Sequence, residues 1–243
     1  MINNHPIINV YKKKSTNSGL VTQLLYGEKF NKINKSGSWT YIKNSTDNYK
    51  GFIKNYDFPK TTENTHKVSS LSANTYSKPN LKFKLKKKLT FGSRVQISKK
   101  SRVFFKTQNF WIKKKDLKKI NILNKDPFAG IKKFINVKYK WGGKHFSGID
   151  CSALVQIFLN YNNRFCPRDT VDQIKFFKKK VKLSNIKKND LIFWKGHVAI
   201  AMSKKTLIHA YGPRKKVIVM PINKTIKLIE RTAKLKVKGI RRI

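Results

Sequence analysis

The chain has 243 residues, 39% of them apolar and 12% aromatic, with 12 Gly and 7 Pro. That supports one large domain or a few small ones and excludes collagen-like, low-complexity and wholly disordered chains. Lys and Arg number 56 against 11 Asp and Glu, a formal net charge of +45, so the surface attracts polyanions and substrates with several carboxylates. The acids are spread along the whole chain, and Lys, Asn and Ile are all abundant. The charge is therefore global and marks neither a basic tail nor one recognition helix, and no specific nucleic-acid partner is expected. No apolar run reaches the ~18 residues of a membrane-spanning helix. The start, Met1-Ile-Asn-Asn-His-Pro6, has no charged region followed by a long apolar stretch, which predicts a cytoplasmic protein, with an envelope location as the alternative.

In chain order, two segments of the first half resemble each other. Tyr26-Gly-Glu-Lys-Phe30 parallels Phe91-Gly-Ser-Arg-Val95, and Phe52-Ile-Lys-Asn-Tyr-Asp-Phe58 parallels Trp111-Ile-Lys-Lys-Lys-Asp-Leu117. Between these anchors lie short aromatic and β-branched runs, Trp39–Ile42 and Arg102–Phe105. In the first copy, turn signals at residues 35–38 and 47–51 flank the run. Two copies of roughly five short strands each read as two small barrels. The pattern resembles bacterial SH3-like domains, the first copy more than the second. The polar stretches 59–66 and 118–127 read as connectors. The domains expected are 1–60, 61–119 and 120–243.

After Pro127 the pattern changes. Phe128, Ile131, Phe134 and Ile135 share one helical face, which predicts a helix over 128–137. Two glycines follow in Tyr139-Lys-Trp-Gly-Gly143, and then Ser147-Gly-Ile-Asp-Cys151 opens a segment with Leu154, Val155, Phe158 and Leu159 at helical spacing. Cys151 thus falls at a helix N-terminus, where backbone N–H groups and the helix dipole favour a thiolate. Phe193-Trp-Lys-Gly-His197-Val-Ala-Ile-Ala-Met202 reads as a strand entered through a glycine, with His197, Ala199 and Ala201 on one face. Thr206-Leu-Ile-His209-Ala-Tyr211 reads as the next strand, joined to it by a short polar turn. Pairing as a hairpin brings the two histidines near each other. Nucleophile, base and orienter are then Cys151, His197 and His209, the logic of a cysteine peptidase.

Tyr139-Lys-Trp-Gly-Gly143 followed by Gly148-Ile-Asp-Cys-Ser152 resembles the NlpC-type cysteine peptidases, papain-like enzymes of bacterial cell-wall peptides. Pro167-Arg-Asp-Thr-Val-Asp-Gln173, Asn189–Phe193, Gly196-His197-Val198 and Ile208-His209-Ala210 follow in the family's order. With two SH3-like domains in front, the chain resembles the γ-D-glutamyl-L-diamino acid endopeptidases of dipeptidyl-peptidase VI type. Ala153 and Asn189 stand where that pattern usually has Gly, and Thr170 where Ser is common.

The resemblance implies an α+β fold: a papain-like domain, its Cys helix packed on an antiparallel sheet, behind two SH3-like barrels. It implies hydrolysis of the γ-D-Glu–diamino acid amide in peptidoglycan-derived stem peptides that carry a free N-terminal L-Ala. Tyr139 would help hold the oxyanion, Asp150 and Ser152 would contact the substrate amine, and Thr170 the D-Glu. An acidic residue of the first barrel, Glu28 or Asp47, would join the site. The rivals are a polyanion-binding module with an idle peptidase domain, a thioester-forming transacylase, and an endopeptidase of intact wall polymer. Cys166 reads as a packed apolar residue, and His5, His66 and His145 as surface or loop residues, with His145 a candidate for the cleft edge. No disulfide framework, metal site or phosphate loop is expected from two cysteines and the spacing of the remaining polar residues, and no cofactor.

Overall fold

The computed structural model describes residues 1–59 and 63–243. Strands β1 (Ile7–Tyr11), β2 (Leu20–Leu25), β3 (Phe30–Ser36), β4 (Trp39–Asn44) and β5 (Lys50–Lys54) form an antiparallel sheet in the order β2-β1-β5-β4-β3. Alternation along β4 and β5 turns Ile42 and Ile53 inward to join Ile8, Val10, Leu24 and Phe30 in one small core. The first expected domain boundary, between 60 and 61, lies outside the described residues.

A second all-β unit follows. Its strands are β6 (His66–Val68), β7 (Ser72–Tyr76), β8 (Lys84–Thr90), β9 (Arg94–Val95), β10 (Lys99–Lys100), β11 (Phe104–Lys106), β12 (Trp111–Lys113) and β13 (Leu117–Lys119). They pair as β10-β11-β12-β7-β8 and β13-β6-β9. The similar segments of the sequence occupy similar places: Gly27 and Gly92 both turn with φ near +80° to +84°, and Ile53 and Ile112 are both fully buried. Gly27 has a second reason to be glycine, because a Cβ there would lie 2.0 Å from the Arg94 carbonyl oxygen, where the two units touch. His66, expected on the surface, is buried, its ring set edge-on against Phe105.

The third unit contains the hairpin β14 (Lys144–His145) and β15 (Gly148–Ile149), then helices α1 (Cys151–Tyr161) and α2 (Thr170–Phe176). β16 (Lys179–Val181), β17 (Leu191–Trp194), β18 (His197–Ala201), β19 (Thr206–Tyr211), β20 (Lys216–Pro221), α3 (Ile222–Ala233) and β21 (Gly239–Arg242) complete it. The six-stranded sheet runs β16-β21-β17-β18-β19-β20 and is antiparallel between neighbours. One face packs on α1 through Phe193, Val198, Ile200 and Ile208, and the other on α3 through Ile192, Trp194 and Leu207. Residues 128–137 do not form the expected helix. Gly130 at φ +76° and Asn136 at φ +67° leave room only for a 3-10 turn over Ile131–Phe134, a single turn between two left-handed residues. Asn189 also sits at φ +73°, a backbone state that Asn tolerates better than other side chains bearing a Cβ.

The units are tied by buried polar links. The Lys144 ammonium pairs with Glu28 at 2.9 Å, Lys67 Nζ donates to the Tyr161 carbonyl at 2.6 Å, and Phe91 of the second unit stacks on Tyr161 at 4.5 Å. No helix among the described residues is long and apolar enough to cross a membrane.

Candidate functional site

Asp150 caps α1, accepting from the Ala153 N–H at 2.8 Å, and this fixes Cys151 as the first helical residue. Nearly every side chain of α1 is buried, which holds the helix end firmly against the sheet. The thiol meets that sheet where β18 and β19 part. Their ladder runs only through Ile200↔Ile208 and Ala201↔Leu207, although the strands extend to His197 and Tyr211. In that mouth the sulfur lies 4.0 Å from the Gly196 carbonyl oxygen and accepts the Val198 N–H, so it touches the backbone on both sides of His197.

Across the same mouth, His197 Nε2 and His209 Nδ1 are 2.9 Å apart. Continued from Ile200↔Ile208, the register sets His209 opposite Ala199, so the two rings form a diagonal pair on one face. His209 is 1% exposed. It stacks on Tyr211 at 4.6 Å, and its Nε2 lies 3.4 Å from Met220 Sδ. Sulfur is only an acceptor here, so His209 Nε2 carries the proton and Nδ1 accepts from His197 Nε2–H. That tautomer leaves the Nδ1 lone pair of His197 free to take a proton.

The electrostatics differ from the sequence expectation of an ionised thiol. Burial, reinforced by the neighbouring Asp150, pushes the Cys151 thiol up to about 12, and the helix-start N–H of Ser152 offsets only part of this. Burial likewise lowers His197 to about 4 and His209 to about 3. Each charge alone is disfavoured by the dry site. Thiolate and imidazolium are tolerated only when they form together, by transfer of the sulfur's proton.

A pocket of about 300 Å³ opens on Cys151, walled by Tyr139, Trp141 and Thr170 from the third unit and by Val21 and Tyr49 from the first. Asp150, Ser152, Arg168 and Asp169 line it as well. Burial, with Cys151 and Asp150 adding to it, raises the Tyr139 phenol, so its hydroxyl remains a donor.

Asp150 has little left to offer a ligand. Its Oδ1 accepts from Ala153 N–H, the Ser152 hydroxyl and Arg168 Nη1, and its Oδ2 from Gly142 N–H and Arg168 Nη2. The buried Arg168 also donates to the hydroxyls of Ser152 at 2.7 Å and of Thr22 at 3.0 Å, joining the pocket floor to β2. Asp169 is different. It accepts from the Tyr49 hydroxyl at 3.1 Å, no other donor among the described residues reaches it, and burial raises its carboxyl.

The acids expected from the first unit lie elsewhere. Glu28 is spent on Lys144 and on the Leu25 N–H, and Asp47 on Gln156 and the Tyr49 N–H. His145 bonds Ser147 and does not line the pocket, while Cys166 is fully buried, as expected of a packed residue. The sequence reading assigned no role to Arg168, Asp169, Trp141 or Tyr49. The first two lie within the family-like segment Pro167–Gln173, and Trp141 within Tyr139–Gly143, but nothing local marks Tyr49. Among the described residues no group of three or more His, Cys, Asp and Glu is placed to hold a metal ion.

Residues 136–233, which contain the thiol and both histidines, match the NlpC/P60 family, and residues 10–58 match the bacterial dipeptidyl-peptidase SH3 domain. The chain carries an NlpC/P60 domain behind a bacterial dipeptidyl-peptidase SH3 domain. The NlpC/P60 domain is a cysteine hydrolase domain. A Bacillus subtilis protein named gamma-D-glutamyl-L-lysine dipeptidyl-peptidase is 24% identical, over 87% of this chain and 79% of its own length. Dipeptidyl-peptidase 6 of Lysinibacillus sphaericus is 35% identical over 32% of this chain, a stretch spanning only 28% of that relative. In fold, the chain is similar to the crystal structure of an NlpC/P60 family protein from Bacillus cereus, with a TM-score of 0.83 at 20% identity, covering 99% of this chain and 98% of the other.

Proposed function

We propose that the protein is a cysteine peptidase that hydrolyses peptidoglycan stem peptides at the amide between γ-D-Glu and the diamino acid. The observation that carries this reading is the Cys151 sulfur seated on the backbone either side of His197, whose ring is tied to His209. The name of the Bacillus subtilis relative, gamma-D-glutamyl-L-lysine dipeptidyl-peptidase, supports the substrate class.

In the first step the Cys151 proton passes to His197 Nδ1 as the sulfur attacks the amide carbon. The oxyanion faces the Tyr139 hydroxyl and the backbone N–H of Cys151, a type of stabilisation worth a few kcal/mol. The C–N bond breaks, His197 protonates the leaving amine of the diamino acid, and the L-Ala-D-Glu acyl group stays on sulfur as a thioester. In the second step His197 takes a proton from water, the hydroxide equivalent attacks the thioester, and the thiol regains its proton. His209 holds the base ring throughout.

The pocket suits a chain end because Val21 and Tyr49 close one side of it. In this reading the free amine of L-Ala is held chiefly by Asp169 with Tyr49, and Asp150, Ser152 and Arg168 build the floor beneath it. Thr170 meets the D-Glu portion. The second all-β unit is a second SH3-like barrel, and the domains run 1–60, 61–119 and 120–243.

Incubation with L-Ala-γ-D-Glu-diaminopimelate, free and N-acetylated, followed by mass spectrometry, tests the reading. Release of L-Ala-D-Glu from the free peptide, lost in Cys151→Ala, is the expected result. Absence of cleavage by the folded wild-type protein overturns it.

A further inference from the structure

A concavity of about 840 Å³ lies on the second β unit, away from the thiol. Its floor is apolar, built from Phe105, Leu117 and the buried His66. Its walls are aliphatic and stand out into solvent: Leu81 is 58% exposed, Val103 54% and Ile122 48%; Leu123, next in sequence to Ile122, is 54% exposed. Around these stand Lys100, Arg102, Lys114, Lys115, Lys118 and Lys119. Among the described residues no Asp or Glu lines the groove. Asp116 is the single acid between Glu63 and Asp126 in the sequence.

Aliphatic side chains at this exposure cost free energy unless something apolar covers them. A ring of cations without acids demands that the cover be anionic. The exposed contacts are Leu, Val and Ile, which offer no platform for stacking nucleic-acid bases. They do suit acyl chains, and lysine stems lie along apolar surface while the ammonium reaches a phosphate above it. We propose that this face docks on a lipid bilayer rich in anionic headgroups, inserting Leu81, Val103, Ile122 and Leu123 below the phosphates held by the surrounding lysines. The proposal is independent of the peptidase reading.

The net charge of +45 draws the whole protein to any anionic surface, so the test must keep every charge. The full chain and the variant Leu81→Ser/Val103→Ser/Ile122→Ser/Leu123→Ser are sedimented with phosphatidylcholine vesicles with and without phosphatidylglycerol, at physiological salt. The wild type is expected to bind only the anionic vesicles, and the variant about tenfold or more weakly, since each buried apolar group adds to partition. In parallel, Val103→Cys labelled with an environment-sensitive fluorophore should shift to the blue on anionic vesicles and not on single-stranded DNA. Equal binding by the fourfold serine variant overturns the proposal, because charge alone then suffices. So does a fluorophore that stays in water on the vesicles, a readout that stands even where the fourfold variant does not fold.

Discussion

His197 Nε2 and His209 Nδ1 are joined by a single hydrogen bond of 2.9 Å, and its direction decides whether the first ring can act as a base. With Met220 Sδ facing the far nitrogen of His209, the proton lies on His197 Nε2, and Nδ1 is the open acceptor.

His209→Ala should therefore lower kcat by roughly ten-thousandfold, the order seen when the orienting member of a triad is lost. His209→Asn and His209→Gln, which keep an acceptor for the His197 N–H, should recover much of the loss. Steady-state kinetics with the free tripeptide, combined with melting curves, separates this from simple unfolding. Equal rates in all three variants would show that the bond direction is irrelevant.

Asp169 offers the pocket carboxylate with an unspent oxygen, since Tyr49 is its single donor among the described residues. Asp169→Asn should raise KM for the free-amine peptide by about tenfold, the value of one charge-assisted hydrogen bond, with little change in kcat. The preference for free over N-acetylated peptide should shrink in the same variant. Tyr49→Phe should move both quantities in the same direction, but less.

Burial keeps both site histidines neutral, at about 4 for His197 and about 3 for His209. In the unfolded chain a histidine titrates near pH ~6.5. Between these values the unfolded state binds more protons than the folded one. Stability is thus fully present above the unfolded value and falls as the pH drops toward the folded values, by at most about 1.4 kcal/mol per pH unit for each group. Denaturant midpoints across this window should fall more steeply for the wild type than for His197→Gln/His209→Gln.

The Lys144–Glu28 pair, 2.9 Å apart with the lysine fully buried, joins the NlpC/P60 domain to the SH3 domain. Glu28→Gln leaves the ammonium without its countercharge and should cost about 3 kcal/mol or more. Replacing both residues by apolar ones of similar size should restore most of that. A double-mutant cycle from urea midpoints measures it, and a loss that is merely additive would contradict the pairing.

The proposed catalytic constellation was legible because it is written in local code. An Asp–Cys–Ser step before an apolar helical period marks the candidate nucleophile, and a glycine before an alternating strand marks His197. The hairpin turn then brings His209 close without any long-range information. What failed was what the solvent decides. The helix-start position suggested an ionised thiol, but only the three-dimensional packing reveals how dry Cys151 is and how near Asp150 lies. The segment 128–137 has a helical period, yet two left-handed residues cut it to one turn, and a period cannot show a backbone sign. Tyr49 reaches the site from a residue 120 positions away from Asp169, and nothing in its own neighbourhood announces it.

The order of the large sheet has a further consequence. β21, although latest in sequence, lies between β16 and β17, and β17 holds the strand bearing His197. A nascent chain can shape its N-terminal unit early, but the scaffold behind the imidazole closes only once residues 239–242 have been synthesised and threaded into place. The hydrolase domain thus stays inert on the ribosome until β21 has emerged and paired.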